Sequence, residues 1–208
     1  RIAAIDTSTG LASSWNPNAN DVIRTFALHS ASSTLYVGGD FTSIGGLTRN
    51  RTAALNTGTG SSTSWNPDAD NIVRTLVINA SATTVYAGGN FGTIGGLART
   101  MVAALNTSTG SSTAWNTGSS GGDYVSTLVL NSTSSILYAG GSFLTMGDQT
   151  RINIAAFNTA SGSPPTAWNP NPDSAGAVNA LTISSDDATI YAGGNVTSIG
   201  VLNRNLLA

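Results

Sequence analysis

The sequence predicts an all-β fold made of repeated four-stranded units, the architecture of a β-propeller. The prediction rests on two motifs that recur at intervals of 50 to 53 residues within a chain of 208. A Tyr-x-Gly-Gly tetrad begins at Tyr36, Tyr86, Tyr138 and Tyr191, and a Trp-Asn pair begins at Trp15, Trp65, Trp115 and Trp168. A fixed period of this size indicates one supersecondary unit repeated along the chain.

The copies span residues 1–50, 51–100, 101–152 and 153–205 of a single repeat domain, 1–208, and residues 206–208 begin a fifth. In the second copy, residues 52–56 and 62–65 are predicted to form the third and fourth strands of a unit, joined by a Thr-Gly turn. Residues 71–78, the first strand, are apolar on both faces, which is typical of a strand packed between neighbours. After a polar turn at 79–83, residues 84–91 form the second strand, whose paired glycines permit a close backbone approach.

Four short strands in about 50 residues match a propeller blade in size, whereas β-helix coils and leucine-rich repeats are shorter. The paired glycines and the single Trp of each copy are similar to those of kelch blades. The fuller pattern is Arg-x-x-x-Ala-Ala-(Leu/Phe)-Asn-Thr, Thr-Gly, Trp-Asn-Pro and Tyr-x-Gly-Gly-x-Phe-x-x-x-Gly-Gly. It resembles the delta-60 repeat family of β-propellers in large secreted bacterial proteins. The resemblance implies a propeller in an extracellular setting, and the family has no assigned catalytic residues to carry over. The fourth copy departs from the pattern, with Val196 in place of the Phe and Val201 in place of the second Gly.

The sequence leaves two arrangements of the blades open. Residues 1–6 are predicted to form a third strand, and the fourth copy ends after a second strand. The first two strands of the fourth copy can therefore pair with the two N-terminal strands and complete one blade, which would close a four-bladed ring. Residues 204–208 repeat the start of the third strand, as residues 1–3 do, which favours a segment of a larger array. Propellers of four to eight blades are stable. The same terminal strands can also pair with a neighbouring molecule, so homo-assembly is a third expectation.

The composition is unusual in its charge. Only 9% of residues are charged, the eight basic residues are all Arg, the ten acidic residues are all Asp, and Cys is absent. With a net charge of −2 and no basic cluster, the sequence predicts no positively charged surface that would bind nucleic acid. No apolar run is long enough for membrane insertion. A surface of Ser, Thr, Asn and Gly suits an extracellular or cell-surface protein among polysaccharides, while inherited repeat bias explains the same composition.

Length differences among the copies mark a candidate binding face. The copies differ in length in the loop after the Trp and in the hairpin before Trp168, and rigid scaffolds usually carry function on such loops. The loop alternates amide and carboxylate side chains; the candidate residues are Asn66, Asp68, Asp70, Asn169, Asn171 and Asp173. Oxygen ligands at every second position can wrap calcium, but prolines interrupt the loop and Asx-turns explain the same residues. We therefore predict no metal and no cofactor.

An arginine recurs at one position of every copy, at Arg49, Arg99, Arg151 and Arg204. Recurrence in all copies favours a structural role, with hydrogen bonds to carbonyl groups between blades or to an Asp. The alternative is a ring of guanidinium groups that binds carboxylated sugars, so these residues are also binding-face candidates.

No catalytic residue is predicted. The chain lacks Cys, Lys and Glu, and its one histidine, His29, aligns with ordinary turn residues of the other copies. The leading hypothesis is a non-catalytic extracellular β-propeller module for adhesion or for polysaccharide or surface binding. The alternative is a structural subunit of an extracellular filament or surface layer, built from tandem or clasp-swapped propellers.

Overall fold

A computed structural model describes residues 2–118, 120–162, 168–173, 176–200 and 202–203. Its main strands are β1 Ile23–His29, β2 Thr34–Gly39, β5 Thr52–Asn56, β6 Val73–Ile78, β7 Thr84–Gly89, β10 Val102–Asn106, β11 Ser120–Leu130, β12 Ile136–Met146, β14 Ile154–Asn158, β15 Val178–Ile183 and β16 Ile190–Gly194. The two-residue strands are β3 Ser43–Ile44, β4 Leu47–Thr48, β8 Thr93–Ile94, β9 Leu97–Ala98, β13 Gln149–Thr150, β17 Ser198–Ile199 and β18 Leu202–Asn203. One 3-10 turn, Ser30–Ser32, is the sole helical element in the described ranges, and the predicted all-β class is confirmed.

The main strands form small antiparallel sheets, three of which cross the boundaries between copies. These three are β1-β2-β5, β6-β7-β10 and β11-β12-β14 with β13 added, while β15-β16, β3-β4, β8-β9 and β17-β18 are two-stranded. In the first sheet, β2 pairs on its far side with β5 from the next copy, with Tyr36 opposite Ala54. The third strands of the second, third and fourth copies therefore complete the sheets begun by the copies before them.

The predicted fourth strand is much shorter than expected. Residues 62–65 contribute one isolated bridge, between Ser62 and Leu55, and Ser112 bridges Leu105 in the same way. The ladder ends because the Thr63 hydroxyl accepts the backbone N–H of Trp65 at 3.2 Å, and the chain then leaves the sheet. The sheets β1-β2-β5 and β6-β7-β10 therefore have three full strands each, with a fourth segment that contributes a single bridge.

The sheets stack in chain order. β1 packs against β6, β6 against β11, and β11 against β15. The backbone N–H of Leu76 donates to the Thr25 hydroxyl of the preceding sheet at 3.0 Å, and Leu128 donates to Thr75 at 3.2 Å. Buried aliphatic and aromatic side chains fill the spaces between sheets. Within the described residues the stack is open, because no sheet closes on another to form a ring.

The paired glycines of the tetrad fit two different close contacts. A Cβ on Gly39 would lie 2.1 Å from the carbonyl oxygen of Val22 in the neighbouring strand. A Cβ on Gly38 would lie 2.7 Å from Cγ1 of Val73 in the next sheet. One glycine thus serves pairing within the sheet and the other serves packing between sheets, so the repeat needs both.

Sequence reasoning missed the two-residue hairpins that follow the second strands. In β3-β4 the turn is formed by Gly45 and Gly46, whose φ angles are +60° and +84°. Positive φ at both central residues is the signature of a type I′ hairpin.

No helix among the described residues has the length and apolarity needed to cross a bilayer.

Candidate functional site

The loop after each Trp alternates buried and exposed residues. Pro17 and Ala19 are buried, whereas Asn16, Asn18 and Asn20 are exposed. The second copy repeats the pattern, with Pro67 and Ala69 buried between exposed Asn66, Asp68 and Asp70. The alternation read from the sequence therefore follows from an extended loop whose apolar side faces the core.

The third polar position of the loop holds the segment that follows the second strand. The Asp70 carboxylate accepts the backbone N–H groups of Gly92 and Thr93 at 2.9 and 3.1 Å. Asn20 and Asp173 occupy the equivalent place, each accepting two backbone N–H groups of the corresponding segment. This position fastens two loops together.

The middle polar position has a left-handed backbone. Asn18, Asp68 and Asn171 have φ angles of 52°, 54° and 47°, and the third copy places Gly118 there with φ 81°. Asn, Asp and Gly are the residues that adopt this conformation at low cost. The Asp68 carboxylate also accepts the Asn50 amide at 2.7 Å.

Backbone geometry and these hydrogen bonds account for the Asn and Asp pattern without an ion. Across the described ranges, no group of three or more His, Asp, Glu or Cys side chains is arranged to hold a metal. Asp68 and Asp70 have different partners, one an amide side chain and the other a pair of backbone N–H groups.

The loop lines an open groove that occurs in the same form in two copies. The first groove has a volume of about 530 Å³ and is lined by residues 16–18, 43–48 and 59–61. The second has a volume of about 590 Å³ and is lined by residues 66–68, 93–98 and 109–111, each 50 positions further along. Each groove joins the loop after Trp, the glycine hairpin and the Thr-Gly turn of the next copy.

The loop and the hairpin are held at a fixed distance across the floor of the groove. The N–H of Gly45 donates to the Pro17 carbonyl at 2.6 Å, and Gly95 donates to Pro67 at 2.6 Å. In the fourth copy Gly200 donates to Pro170 at 2.6 Å. Asn169 and Asn171 are exposed beside it. The candidate residues of the fourth copy thus lie in the same local setting as those of the first two.

An exposed leucine forms part of each described groove. Leu47 is 46% exposed and Leu97 is 45% exposed, each immediately after the two glycines of its hairpin. The sequence carried a signal for them, since Gly-Gly-Leu follows the tetrad in both copies. Their placement in a groove could not be read from sequence, because it depends on the Thr-Gly turn of the following copy.

The recurrent arginines bind backbone carbonyl groups. Arg49 donates to the carbonyls of Thr48 and Thr63 at 2.8 and 2.7 Å. Arg99 donates to Ala98 and Thr113 at 2.8 and 2.9 Å. In both cases the second carbonyl belongs to the next copy, so these guanidinium groups join neighbouring units and do not line the two grooves.

Arg151 is buried and donates to the Thr150 carbonyl and to the Gln149 side chain, at 2.8 and 2.7 Å. Arg204 lies outside the described residues.

The recurrent aromatic residues pack against one another in the core. Tyr36 meets Trp65 at a ring-centroid distance of 4.9 Å, and Tyr86 meets Trp115 at 5.4 Å, both edge to face. The Trp65 indole N–H donates to the Asn106 carbonyl of the next sheet at 2.9 Å. The Trp115 indole N–H donates in the same way to the Asn158 carbonyl at 3.0 Å, so Trp65 and Trp115 each link the sheet before them to the sheet after them. Burial raises the pKa of the Tyr36 and Tyr86 hydroxyl groups.

A search of protein-family models and of curated proteins finds no match to this chain.

Proposed function

We propose that the protein is a non-catalytic extracellular β-propeller module that binds neutral polysaccharide through its repeated grooves. One observation carries the proposal: two grooves of equal construction recur 50 residues apart, at equivalent positions of adjacent copies. A ligand with its own repeat is the natural complement of a repeated site. Several weak sites that engage one polymer also raise its overall affinity without any new contact.

The lining of the grooves supports a neutral sugar ligand. Amide, hydroxyl and backbone groups surround the exposed leucine, and the first groove contains no ionisable side chain. In the second groove the one carboxylate, Asp68, accepts an amide of the protein. Sugar hydroxyl groups match such donors and acceptors, and the C–H face of a pyranose ring matches the leucine. The same lining offers no paired acid and base for hydrolysis.

The finer architecture and the location belong to the same proposal. Successive sheets recur about every 50 residues and stack on one another, and this arrangement supports the assignment of the sheets as blades of a propeller. The delta-60 resemblance and the weakly charged, hydroxyl-rich surface support an extracellular or cell-surface setting.

Polysaccharide binding with matched leucine variants tests the proposal. The double variant Leu47→Asn and Leu97→Asn removes the apolar element of both grooves, and Leu144→Asn is the control, because Leu144 is 55% exposed and lies outside them. Titration calorimetry against neutral and acidic polysaccharides should show binding to a neutral polymer, a loss of at least about tenfold in the double variant, and no change in the control. Failure of every neutral polymer to bind, or equal behaviour of both variants, would contradict the proposal.

A second candidate function is a structural subunit of a filament or surface layer. The observation that favours it is that a strand of the following copy completes each of the first three sheets, an arrangement that further copies can continue. Electron microscopy of native material should then show continuous fibres, whereas separate particles would favour the binding module.

A further inference from the structure

We infer that the guanidinium group of Arg74, held between Asn90 and Tyr124, is a binding site for the carboxylate group of a ligand. Arg74 is the second residue of β6, and Tyr124 lies in β11, so the site is at the junction of the second and third sheets. None of the three residues lines either groove. The inference is therefore independent of the polysaccharide proposal.

The first copy shows what the equivalent arginine binds. Arg24, the second residue of β1, donates through Nε to one carboxylate oxygen of Asp40 and through a terminal nitrogen to the other, the latter at 2.7 Å. Asp40 directly follows the paired glycines of the tetrad. Bidentate pairs of this kind are the strong form of the arginine–carboxylate interaction. The repeat thus contains one complete example of the contact that we assign to Arg74 and a ligand.

In the second copy the carboxylate partner is missing. The residue after the paired glycines is Asn90, whose side-chain oxygen accepts Nε of Arg74 at 2.6 Å. The Asn90 amide nitrogen donates to the Asp123 carbonyl of the next sheet at 3.1 Å, which fixes the orientation of the side chain. Arg74 therefore has an oriented but neutral partner where Arg24 has a charged one.

The aromatic ring of Tyr124 covers one face of the Arg74 guanidinium group. The central carbon of that group lies 4.3 Å from the ring centroid. Such a cation–π contact holds the group by its face and leaves the N–H groups at its edge free to donate. The ring is particular to this junction, since the aligned residues of the other copies are Val22, Ile72 and Ala177.

The terminal nitrogens of Arg74 have no acceptor in the part of the chain that the structure describes. Nε is the one nitrogen of this group that donates there, and Arg74 forms no ion pair there. The nearby Asp123 carboxylate accepts the Ser142 hydroxyl at 3.2 Å. A guanidinium group has five N–H donors in a planar fork. The edge between the two terminal nitrogens of Arg74 can therefore take both oxygens of a carboxylate.

The charges around the first two sheets favour an anionic ligand. Arg24 lowers the pKa of Asp40 most strongly, through its hydrogen bonds, and Arg74 and Arg51 lower it further at longer range. Asp21 also acts on Arg24. This cluster therefore holds three guanidinium groups and two carboxylates, so positive charge is in excess within it. A ligand carboxylate would compensate that excess, and a neutral ligand would not.

An NMR titration at constant ionic strength tests the inference. Sodium acetate and sodium glucuronate replace sodium chloride stepwise, and the backbone N–H signals of Asp123 and Tyr124 report binding in every variant. Both acids should give a saturable shift in the unsubstituted protein, and the Arg74 Nε–H signal should move with it. Arg74→Gln should lower the affinity at least about tenfold, because the charged partner is removed.

Asn90→Asp is the decisive variant, because it keeps Arg74 and supplies the carboxylate that Asp40 supplies in the first copy. The new side chain should occupy the guanidinium group and lower the affinity for acetate at least about tenfold. Asn56→Asp is the control with the same charge change. Asn56 pairs with Thr34 at the opposite end of β2 from the tetrad glycines, and the first copy already has Asp6 at that position. This control should bind acetate like the parent.

The two acids identify the source of the carboxylate. Tighter binding of glucuronate than of acetate would support the inference with a sugar acid as the ligand, and equal affinities would support it with a carboxylic acid of any kind. The absence of a saturable shift with both acids would overturn the inference. Equal affinities of the parent and Asn90→Asp would also overturn it, and this comparison decides the matter if Arg74→Gln unfolds.

Discussion

At the scale of single residues, the recurrent Trp joins adjacent units. Trp65 is buried, contacts the Tyr36 ring and donates to the Asn106 carbonyl, so it touches two sheets at once. Its position was visible in the sequence as a recurrent motif. The hydrogen bond to a carbonyl 41 residues away could not be foreseen, because it depends on how the next sheet stacks.

We expect Trp65→Ala to lower the free energy of unfolding by about 3 to 5 kcal/mol, because it leaves a cavity and an unpaired carbonyl between two sheets. Trp15→Ala is the matched control; Trp15 makes the same kind of hydrogen bond but is only half-buried, so its removal should cost clearly less. Urea denaturation of both variants measures the difference. Equal losses of unfolding free energy in the two variants would show that the contact of Trp65 with the Tyr36 sheet does not contribute to stability.

The buried tyrosines predict an alkaline limit to stability. Burial raises the pKa of Tyr36, Tyr86 and Tyr138 above the ordinary value of 10.0. The unfolded chain releases these protons first, so their stabilising effect is complete below about pH 10 and is lost as the pH rises through the folded-state pKa values. Urea denaturation from pH 8 to 11 should show this fall, and Tyr86→Phe should make it shallower. A free energy of unfolding that does not change above pH 10 would contradict the raised pKa values of these tyrosines.

At the scale of elements, the paired glycines set how closely sheets approach. The sequence predicted that the tetrad tolerates close backbone approach, and the contacts of Gly38 and Gly39 show two separate approaches. The predicted fourth strand was too long, because the turn from Thr63 to Trp65 ends the ladder after one bridge. Strand propensity does not predict that the Thr63 hydroxyl accepts the Trp65 backbone N–H, which is then not available for the next hydrogen bond of the ladder.

Alanine substitutions at one tetrad position should separate inner sheets from the end sheet. At Gly88 a Cβ would lie 2.7 Å from Val125 Cγ1, so Gly88→Ala should destabilise the protein by about 1 to 3 kcal/mol through overpacking. Gly193→Ala has the same sequence context and no atom within 4 Å, so it should be nearly neutral. Thermal denaturation of the two variants in parallel checks this. A large loss at Gly193 would mean that another segment packs on that sheet.

At the scale of the whole molecule, stability is distributed unevenly along the stack. β7 is almost wholly buried between neighbours, whereas β15 and β16 are mostly exposed or half-buried. Repeat proteins gain stability from nearest-neighbour contacts, so a sheet with one neighbour is held less firmly than a sheet with two.

Hydrogen exchange should therefore proceed from the end of the stack. Amides of β15 and β16 should exchange well before those of β6, β7 and β10, because sheets with few buried contacts open at lower free energy. Mass-spectrometric exchange on the unsubstituted protein measures this difference between the sheets. Uniform protection across all sheets would contradict the open stack.

The sequence by itself determined the all-β class, the period of the repeat and the positions of most strands, because these depend on patterns within one copy. It also indicated Asx-turns in the loop after the Trp, and the Asn16 side chain makes one by accepting the Asn18 N–H at 3.1 Å, since that bond is local to the loop. Only the tertiary structure decided that Asp70 fastens two loops, that Arg49 joins two copies and that Leu97 borders a groove. Those outcomes arise where segments from different copies meet, and the stacking of sheets, which no local pattern encodes, brings them together.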